Sequence, residues 1–459
     1  MFRRVAIIGG GAASAVLLGE LIERPSPEPL HVDWYTGGHA AARGVAYGTA
    51  SDRHLLNVRA ASMGMFAHKP GGFLDFMRRD DPGVAGTDFL PRRCYGDYLE
   101  AQLAHTLEQG RNHGHHVHVI PGRVDAIVPE QDRVTVMQGE SSRQADAAVL
   151  AVGALPARPL AGVSAAALAS ARYLTDPWVL LNDVDRRQEI PGKVVLVGLG
   201  LTAVDVLLEL SARWPETRFV AISRHGLLPE AHQRVTSAPA DDGSVLVEAM
   251  RDAPEIRHWL QLVREAIIGS HDWRTVIDSL RPHTPALWQE LSTPQRERFL
   301  RHASWAWQRA RHRMAPQASE AVSALESDGR LLRRRGRLQS VDVAGDALRV
   351  TLRHADAHDI LDADMVIQTT GLDTDIARTD HPLLRQLLVN RHVMADPQGL
   401  GVMAAEDGRL QHERGHWPHL FAIGSLMRGA WWESTAMPEI SRHAHRLANQ
   451  LRGELPMSR

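Results

Sequence analysis

The chain has 459 residues, with 52 Lys and Arg against 54 Asp and Glu and a single cysteine, Cys94. That length supports two or three domains with buried cores; the near-zero net charge without a polybasic run argues against nucleic acid or an anionic membrane as a partner. One cysteine excludes an intramolecular disulfide framework and a Cys-x-x-Cys redox pair, and no apolar stretch approaches the roughly 18 residues of a membrane span, so a soluble, cytoplasmic protein is expected.

Val5-Ala6-Ile7-Ile8 has the length and composition of a strand, Gly9-Gly10-Gly11-Ala12-Ala13-Ser14 follows at once, and Ala15 to Leu21 reads as a helix. In this G-x-G-x-x-[GSA] pattern Gly9 permits the turn, Gly11 lets a pyrophosphate approach the backbone, Ala12 opens the helix and Ser14 fills a slot where helix and strand pack closely. Phosphates sit well on such a helix N-terminus, where unpaired N–H groups and the dipole favour negative charge. His31 to Thr36 is the expected second strand, with Thr36 at the end where a ribose-binding acid usually stands and Asp33 inside. Arg43 to Gly48 and Leu55 to Ala60, the latter carrying Asn57, read as a loop that either covers the sheet or touches a cofactor ring.

His116 to Ile120, Val124 to Val128 and Val134 to Val136 read as a three-stranded meander, followed by a buried strand from Ala145 that ends at Gly153. His113, His115, His116 and His118 lie among 25 histidines, and no metal site is expected from them. Cys94 reads as a small packed side chain.

After a linker at Pro156 to Pro159 the pattern restarts. Lys193 to Val197 is a strand, Gly198-Leu199-Gly200-Leu201-Thr202-Ala203 a second glycine turn, Val204 to Arg213 a helix and Arg218 to Ile222 a strand. A β region from Leu338 to Leu352 and a buried strand from Ala363 to Gly371 then repeat the closing signals of the first unit. Two such turns, each between a Val/Ile strand and a helix, predict two dinucleotide sites. The second strand there runs into Ser223 and Arg224, which offer charge-assisted bonds to a 2′-phosphate, so NADPH is expected over NADH.

Between Leu227 and Arg335 the spacing predicts helices over Ile256–Ile268, Trp273–Leu280, Pro285–Leu291, Pro294–Met314 and Ala318–Leu325, with five tryptophans. This insert reads as a substrate cap or as the face of a homodimer. Its Arg311-His312-Arg313 is either a solvated helix face or an anion clamp. A last strand reaches Gly424-Ser425, Arg428 to Ile440 follows, and Pro438 opens a helix to Leu451 whose positive end can face a cofactor ring.

Gly9 to Ser14, Arg43 to Gly48, Leu55 to Val58, Gly198 to Asp205, Ser223 to Pro229, Arg311 to Pro316 and Gly429 to Ile440 together resemble the FAD/NAD(P)-binding family related to flavin-containing (class B) monooxygenases, including amino-acid N-oxygenases of the nitrosuccinate-forming type. The resemblance implies an α/β fold of two Rossmann-like dinucleotide-binding domains with β-meanders and a helical insert. Residues 1–160 and 372–459 would hold FAD, 190–226 with 336–371 would hold NADPH, and 227–335 would form the cap. It implies an FAD-dependent, NADPH-using monooxygenase acting on a small molecule and molecular oxygen, hydroxylating an amino nitrogen of a small amino acid or related carboxylate, aspartate to nitrosuccinate included. A flavin reductase that passes electrons to a quinone or partner protein, and a non-catalytic flavin sensor, are the alternatives.

Cofactor contacts are implied at Gly9, Gly11, Ala12, Ser14, Thr36, Tyr47, Asn57, Gly153, Gly198, Gly200, Thr202, Ala203, Ser223, Arg224, Gly371, Gly424, Trp432, Glu433 and Thr435, and substrate contacts at Arg311, His312 and Arg313. Asn57 is the candidate catalytic contact, and no metal is implied. Thr36, and Ser425 where an Asp often holds the ribityl chain, depart from the wider pattern.

Overall fold

The computed structural model describes residues 2–38, 41–182, 190–234, 243–270, 272–354 and 357–455. Side chains of β1 (Arg4–Ile8) alternate between two cores, Val5 and Ile7 in one, Ala6 and Ile8 in the other. A strand buried on both faces is an apolar run and belongs inside a parallel sheet. Its neighbours are β2 (His31–Tyr35), β3 (His116–Ile120), β7 (Ala147–Leu150), β16 (Arg409–His412) and β17 (Gly415–Ala422), in the order β16-β17-β7-β1-β2-β3 with only β16 antiparallel.

One face of this sheet is covered by α1 (Ala12–Ile22), α4 (Arg92–Asn112) and α16 (Met437–Leu451), beside the short α2 (Gly44–Tyr47) and α3 (Gly72–Met77). The other is covered by the antiparallel meander β4 (Ala126–Pro129), β5 (Val134–Gln138) and β6 (Ser141–Ala145), and by α15 (Pro382–Val389).

The same logic builds the second sheet from β8 (Tyr173–Leu174), β9 (Lys193–Val197), β10 (Arg218–Ser223), β11 (Leu331–Arg335) and β15 (Met365–Gln368), all parallel, in the order β11-β10-β9-β15-β8. Val194 and Leu196 face α6 (Pro177–Asn182), α7 (Leu201–Arg213) and α14 (Pro316–Ser327). Val195 and Val197 face the meander β12 (Arg337–Ala344), β13 (Ala347–His354) and β14 (Ala357–Ala363), with α5 (Ala165–Ala169) beside it. The insert adds α8 (Ser244–Asp252), α9 (Ile256–Ser270), α10 (Trp273–Leu280), α11 (Thr284–Glu290), α12 (Thr293–His302) and α13 (Ser304–Arg311). The fold is therefore α/β, with two Rossmann-type sheets, each carrying a layer of helices on one face and a meander with one short helix on the other.

Four readings change in detail. His116 to Ile120 is the edge strand β3 of the first sheet, and the meander takes Ser141–Ala145 as its third strand instead. Both places suit an alternating strand, since Val117 packs on the core while Val119 is 51% exposed. The predicted helix over 294–314 breaks at Ala303, where Ser304 Oγ donates to the Leu300 carbonyl (2.7 Å); such side-chain bonds to the preceding turn compete with the helix ladder. Part of the Arg43–Gly48 loop is a helical turn, α2. Finally, β8 and β11 lie outside 190–226 and 336–371 yet are strands of the second sheet.

Candidate active site

The two sheets close their glycine turns in the same way. Gly9 N donates to the Tyr35 carbonyl (2.8 Å) and Ala151 N to that of Ile8 (2.7 Å); Gly198 N donates to Ile222 (2.9 Å) and Thr369 N to Val197 (2.8 Å). Gly9 has φ +129°, and a Cβ there would stand 2.1 Å from the Ala151 carbonyl oxygen; Gly198 has φ +119°, and its Cβ would stand 2.5 Å from that of Thr369. Each turn enters a helix whose N-cap, Gly11 or Gly200, offers no side-chain hydrogen bond, leaving first-turn N–H groups for a ligand or water. Around Gly11 the nearest atom to an added Cβ is Gly44 Cα at 3.7 Å, and around Gly200 nothing lies within 4 Å. Both turns are cradles that a side chain would narrow, which is the fit a pyrophosphate requires.

The small slots behave as expected in packing terms. Ser14 is fully buried with its Oγ donating to the Gly11 carbonyl (2.7 Å), and Ala203 is fully buried. Ala12 and Thr202 are half-buried at the helix starts. Thr36 is buried, with its carbonyl 2.4 Å from where a Gly10 Cβ would be. Gly153 and Gly371 stand three residues beyond β7 and β15 in equivalent, open positions. Gly424 meets α1 at Ala13, 3.3 Å from an added Cβ, so the C-terminal segment reaches the first cradle.

Between the sheets lies a narrow cleft, lined by Leu55, Asn57 and Arg92 from the first unit, by Leu201, Val204 and Asp205 of α7, and by Met314 and Ala315. The Asn57 carbonyl accepts from His232 Nε2 (3.1 Å). Burial pushes the His232 imidazole down to about 3, and nearby Arg313 acts in the same direction. His232 is therefore neutral at neutral pH.

Asp205 pairs across the cleft with Arg92 (2.9 Å). Burial pushes its carboxyl up to about 6, the guanidinium opposing but not cancelling that rise. A folded-state pKa above the unfolded value near 4 means that protonation favours the folded form. This contribution is fully present below about pH 4 and is lost as pH rises through about 6. Asp205→Asn is accordingly expected to remove that part of the slope in denaturant midpoints measured at pH 4, 5, 6 and 7; an unchanged slope would assign it to another group. Beside this pair, Ser51 Oγ donates to Glu209 of α7 (2.5 Å), while His54, held by Thr49 Oγ1 (2.6 Å), is pushed down to about 4 by burial.

Other residues singled out in the sequence have protein partners. Tyr47 packs edge-on against Tyr95, ring centroids 4.7 Å apart, and burial raises its phenol. Arg311 and Arg313 are not a solvated helix face: both are buried, Arg313 paired with Asp278 and Arg311 standing 3.4 Å from Glu433 and 3.9 Å from Glu439. Nε and Nη2 of Arg311 make no hydrogen bond among the described residues. Burial pushes the His312 imidazole down to about 4, partly offset by Glu433.

Trp432 is built into the insert's core, stacked on Trp288 at 4.9 Å, and Glu433 accepts from Trp307 Nε1 (2.9 Å). These two therefore join the C-terminal segment to the helices of the insert, while Thr435 is exposed. Arg224 is exposed at the end of β10, away from the cleft. Cys94 is half-buried in the first turn of α4, its thiol pushed up by burial.

Sequence reasoning missed Arg92, His232 and Arg428. Arg428 lies over the Trp432 ring at 4.7 Å and has no ion pair among the described residues. Only Arg428 carried a signal, its place at the head of the Arg428 to Ile440 stretch; Arg92 and His232 meet their partners through chain folding alone.

Residues 6–155 match the family model described as FAD-NAD(P)-binding. Over almost the whole chain the fold is similar to that of an L-lysine 6-monooxygenase from Pseudomonas syringae, at 17% identity and TM-score 0.66, covering 99% of this chain and 100% of that one. It is also similar to an ornithine N-hydroxylase from Kutzneria sp. 744 in a complex with FADred, NADP+ and L-orn, at 17% identity and TM-score 0.64, covering 99% of each chain. A bacillithiol disulfide reductase from Staphylococcus aureus aligns at 10% identity and TM-score 0.55, covering 98% of each. A search of curated proteins finds no match by sequence. Among the described residues no helix is long and apolar enough to cross a membrane.

Proposed function

We propose that this chain is an FAD-dependent, NADPH-using monooxygenase of the cytoplasm that hydroxylates the amino nitrogen of a small amino acid or related carboxylate, with aspartate as the first substrate to test and nitrosuccinate as the end of repeated oxidation. The observation that carries this reading is the duplicated glycine cradle at Gly9–Gly11 and Gly198–Gly200, one turn for each cofactor. FAD would lie on residues 1–160 and 372–459, and NADPH on 190–226 and 336–371 extended by β8 and β11, under a cap drawn from 227–335. When bound, FAD supplies hydride acceptance and oxygen activation; the protein's task is to hold, orient and shield.

The N–H groups opening α1 and α7 would hold the two pyrophosphates, with Ser223 and Arg224 at the 2′-phosphate. Asn57 lines the cleft where the two units meet. Arg311, with unused donors, and Arg428, with no carboxylate partner among the described residues, supply positive charge suited to a substrate carboxylate. His232 and His312 are neutral there and add no charge. The stacked Trp288 and Trp432, with Phe299 edge-on to both, close the cap over the C-terminal segment and exclude water.

The test is an incubation of purified protein with NADPH, oxygen and aspartate or other small amino acids. NADPH consumption that depends on the amino acid and yields a hydroxylated nitrogen product, with little hydrogen peroxide, is expected. Consumption indifferent to every amino acid but accelerated by a quinone would replace this reading with the reductase, and tight flavin with negligible NADPH oxidation would replace it with the sensor.

A further inference from the structure

The end of β10 is not a lone arginine on a strand. Ser223 lies opposite Arg335 in the β10–β11 register, and its carbonyl accepts from Gly336 N (2.9 Å) while its Oγ accepts from Gly226 N (2.9 Å). Gly226 lies against Arg335, 3.2 Å from its Cβ to an added Cβ. The turn Ser223–Gly226 and the corner Arg335-Gly336-Arg337, where β11 passes into β12, are thus one ledge. Arg224, Arg335 and Arg337 are exposed on it, all three close enough to lower the His225 imidazole further after burial. None has an ion-pair partner among the described residues.

The first sheet provides an internal contrast. Its glycine turn closes on the Tyr35 carbonyl as the second closes on that of Ile222, so Ile120, opposite Tyr35, takes the place of Arg334, and Thr36-Gly37-Gly38 follow where the second has Ser223-Arg224-His225. Two sheets with the same closure therefore differ at this edge: Arg224 and Arg335 stand where the first has Gly37 and Pro121, while Arg337 has an exposed counterpart in Arg123. In a doubly wound site the adenosine ribose lies at the end of the second strand, its 2′ substituent beside the following turn.

We infer that Arg335 and Arg337, from the β11–β12 corner outside the glycine motif, act with Arg224 as the residues that select a 2′-phosphorylated dinucleotide. This rests on the proposed use of NADPH. Calorimetry of the holoenzyme with 2′,5′-ADP and with 5′-AMP, alongside steady-state KM values for NADPH and NADH, tests it. Arg335→Gln and Arg337→Gln should each weaken 2′,5′-ADP and raise the NADPH KM by about tenfold, as expected for losing a charge-assisted bond. Binding of 5′-AMP, the NADH KM and kcat should stay unchanged, and Arg335→Lys should restore part of the loss. If both variants bind 2′,5′-ADP like the wild type while Arg224→Gln alone loses it, the corner has no selecting role. If the wild type itself binds 2′,5′-ADP no better than 5′-AMP, the NADPH reading falls first, and this inference with it.

Discussion

Gly9→Ala is expected to give protein that purifies without stoichiometric FAD and has lost at least about a hundredfold in activity. The added methyl would stand 2.1 Å from the Ala151 carbonyl oxygen, on a backbone with φ +129°. Left-handed strain of this kind costs on the order of 1–3 kcal/mol, and relief would require moving the end of β7, whose Ala151 N is bonded to Ile8. The equivalent change, Gly198→Ala, meets the Thr369 carbonyl at 2.5 Å in the other sheet. It should leave flavin content intact and remove NADPH binding. The pair separates the two sites: flavin-to-protein ratio and NADPH titration should each fail in one variant only. Full FAD retention by Gly9→Ala would overturn the placement of FAD on the first turn.

The second large effect is expected from Glu439→Ala. Glu439 is buried in the first turn of α16 and accepts two bonds from Arg281 (2.7 and 3.0 Å), with Arg311 at 3.9 Å and Arg442 at 3.2 Å. Removing one member of a buried pair costs about 3–5 kcal/mol because the other charge stays behind without compensation. The bond to Arg281 and the surrounding guanidiniums hold the carboxyl below its ordinary value despite burial, which alone would raise it. A lowered folded-state pKa means that the stabilisation is present above the unfolded value near 4.5 and is lost as pH falls through the folded one. Urea midpoints at pH 7 should therefore drop sharply in Glu439→Ala, and the gap from wild type should narrow on acidification. A gap below about 1 kcal/mol at pH 7 would show that the pair is solvent-screened, as exposed pairs are.

What was legible in the sequence is what local pattern determines. Val5 to Ile8 and Lys193 to Val197 announce buried parallel strands because both faces must be apolar, and the glycines after them announce turns because no Cβ fits. The repeat of those signals gave the two-sheet architecture. The edge position of His116 to Ile120 was not legible, because alternation is common to any half-covered strand and does not name the neighbour. Neither were the fates of Arg311, Arg313, Trp432 and Glu433, whose partners are contributed by distant segments: Asp278 is 35 residues from Arg313, and Trp307 is 126 from Glu433. A charge run looks the same on a solvated helix and in a buried network; only folding supplies the counter-charge.

The nesting of the two sheets also orders their birth on the ribosome. The second sheet draws its strands from between Tyr173 and Gln368, whereas the first waits for β17 to pair with β7 and for α16 to pack on α1. During synthesis the second unit can finish while the first still presents β7 as an open, wholly apolar edge, Ala147 to Leu150 being buried throughout once folded. Exposed strand edges of that kind are templates for mispairing. The sheet that carries the first cradle is thus completed after the second, and it depends on α16 to close the core over β1 and α1.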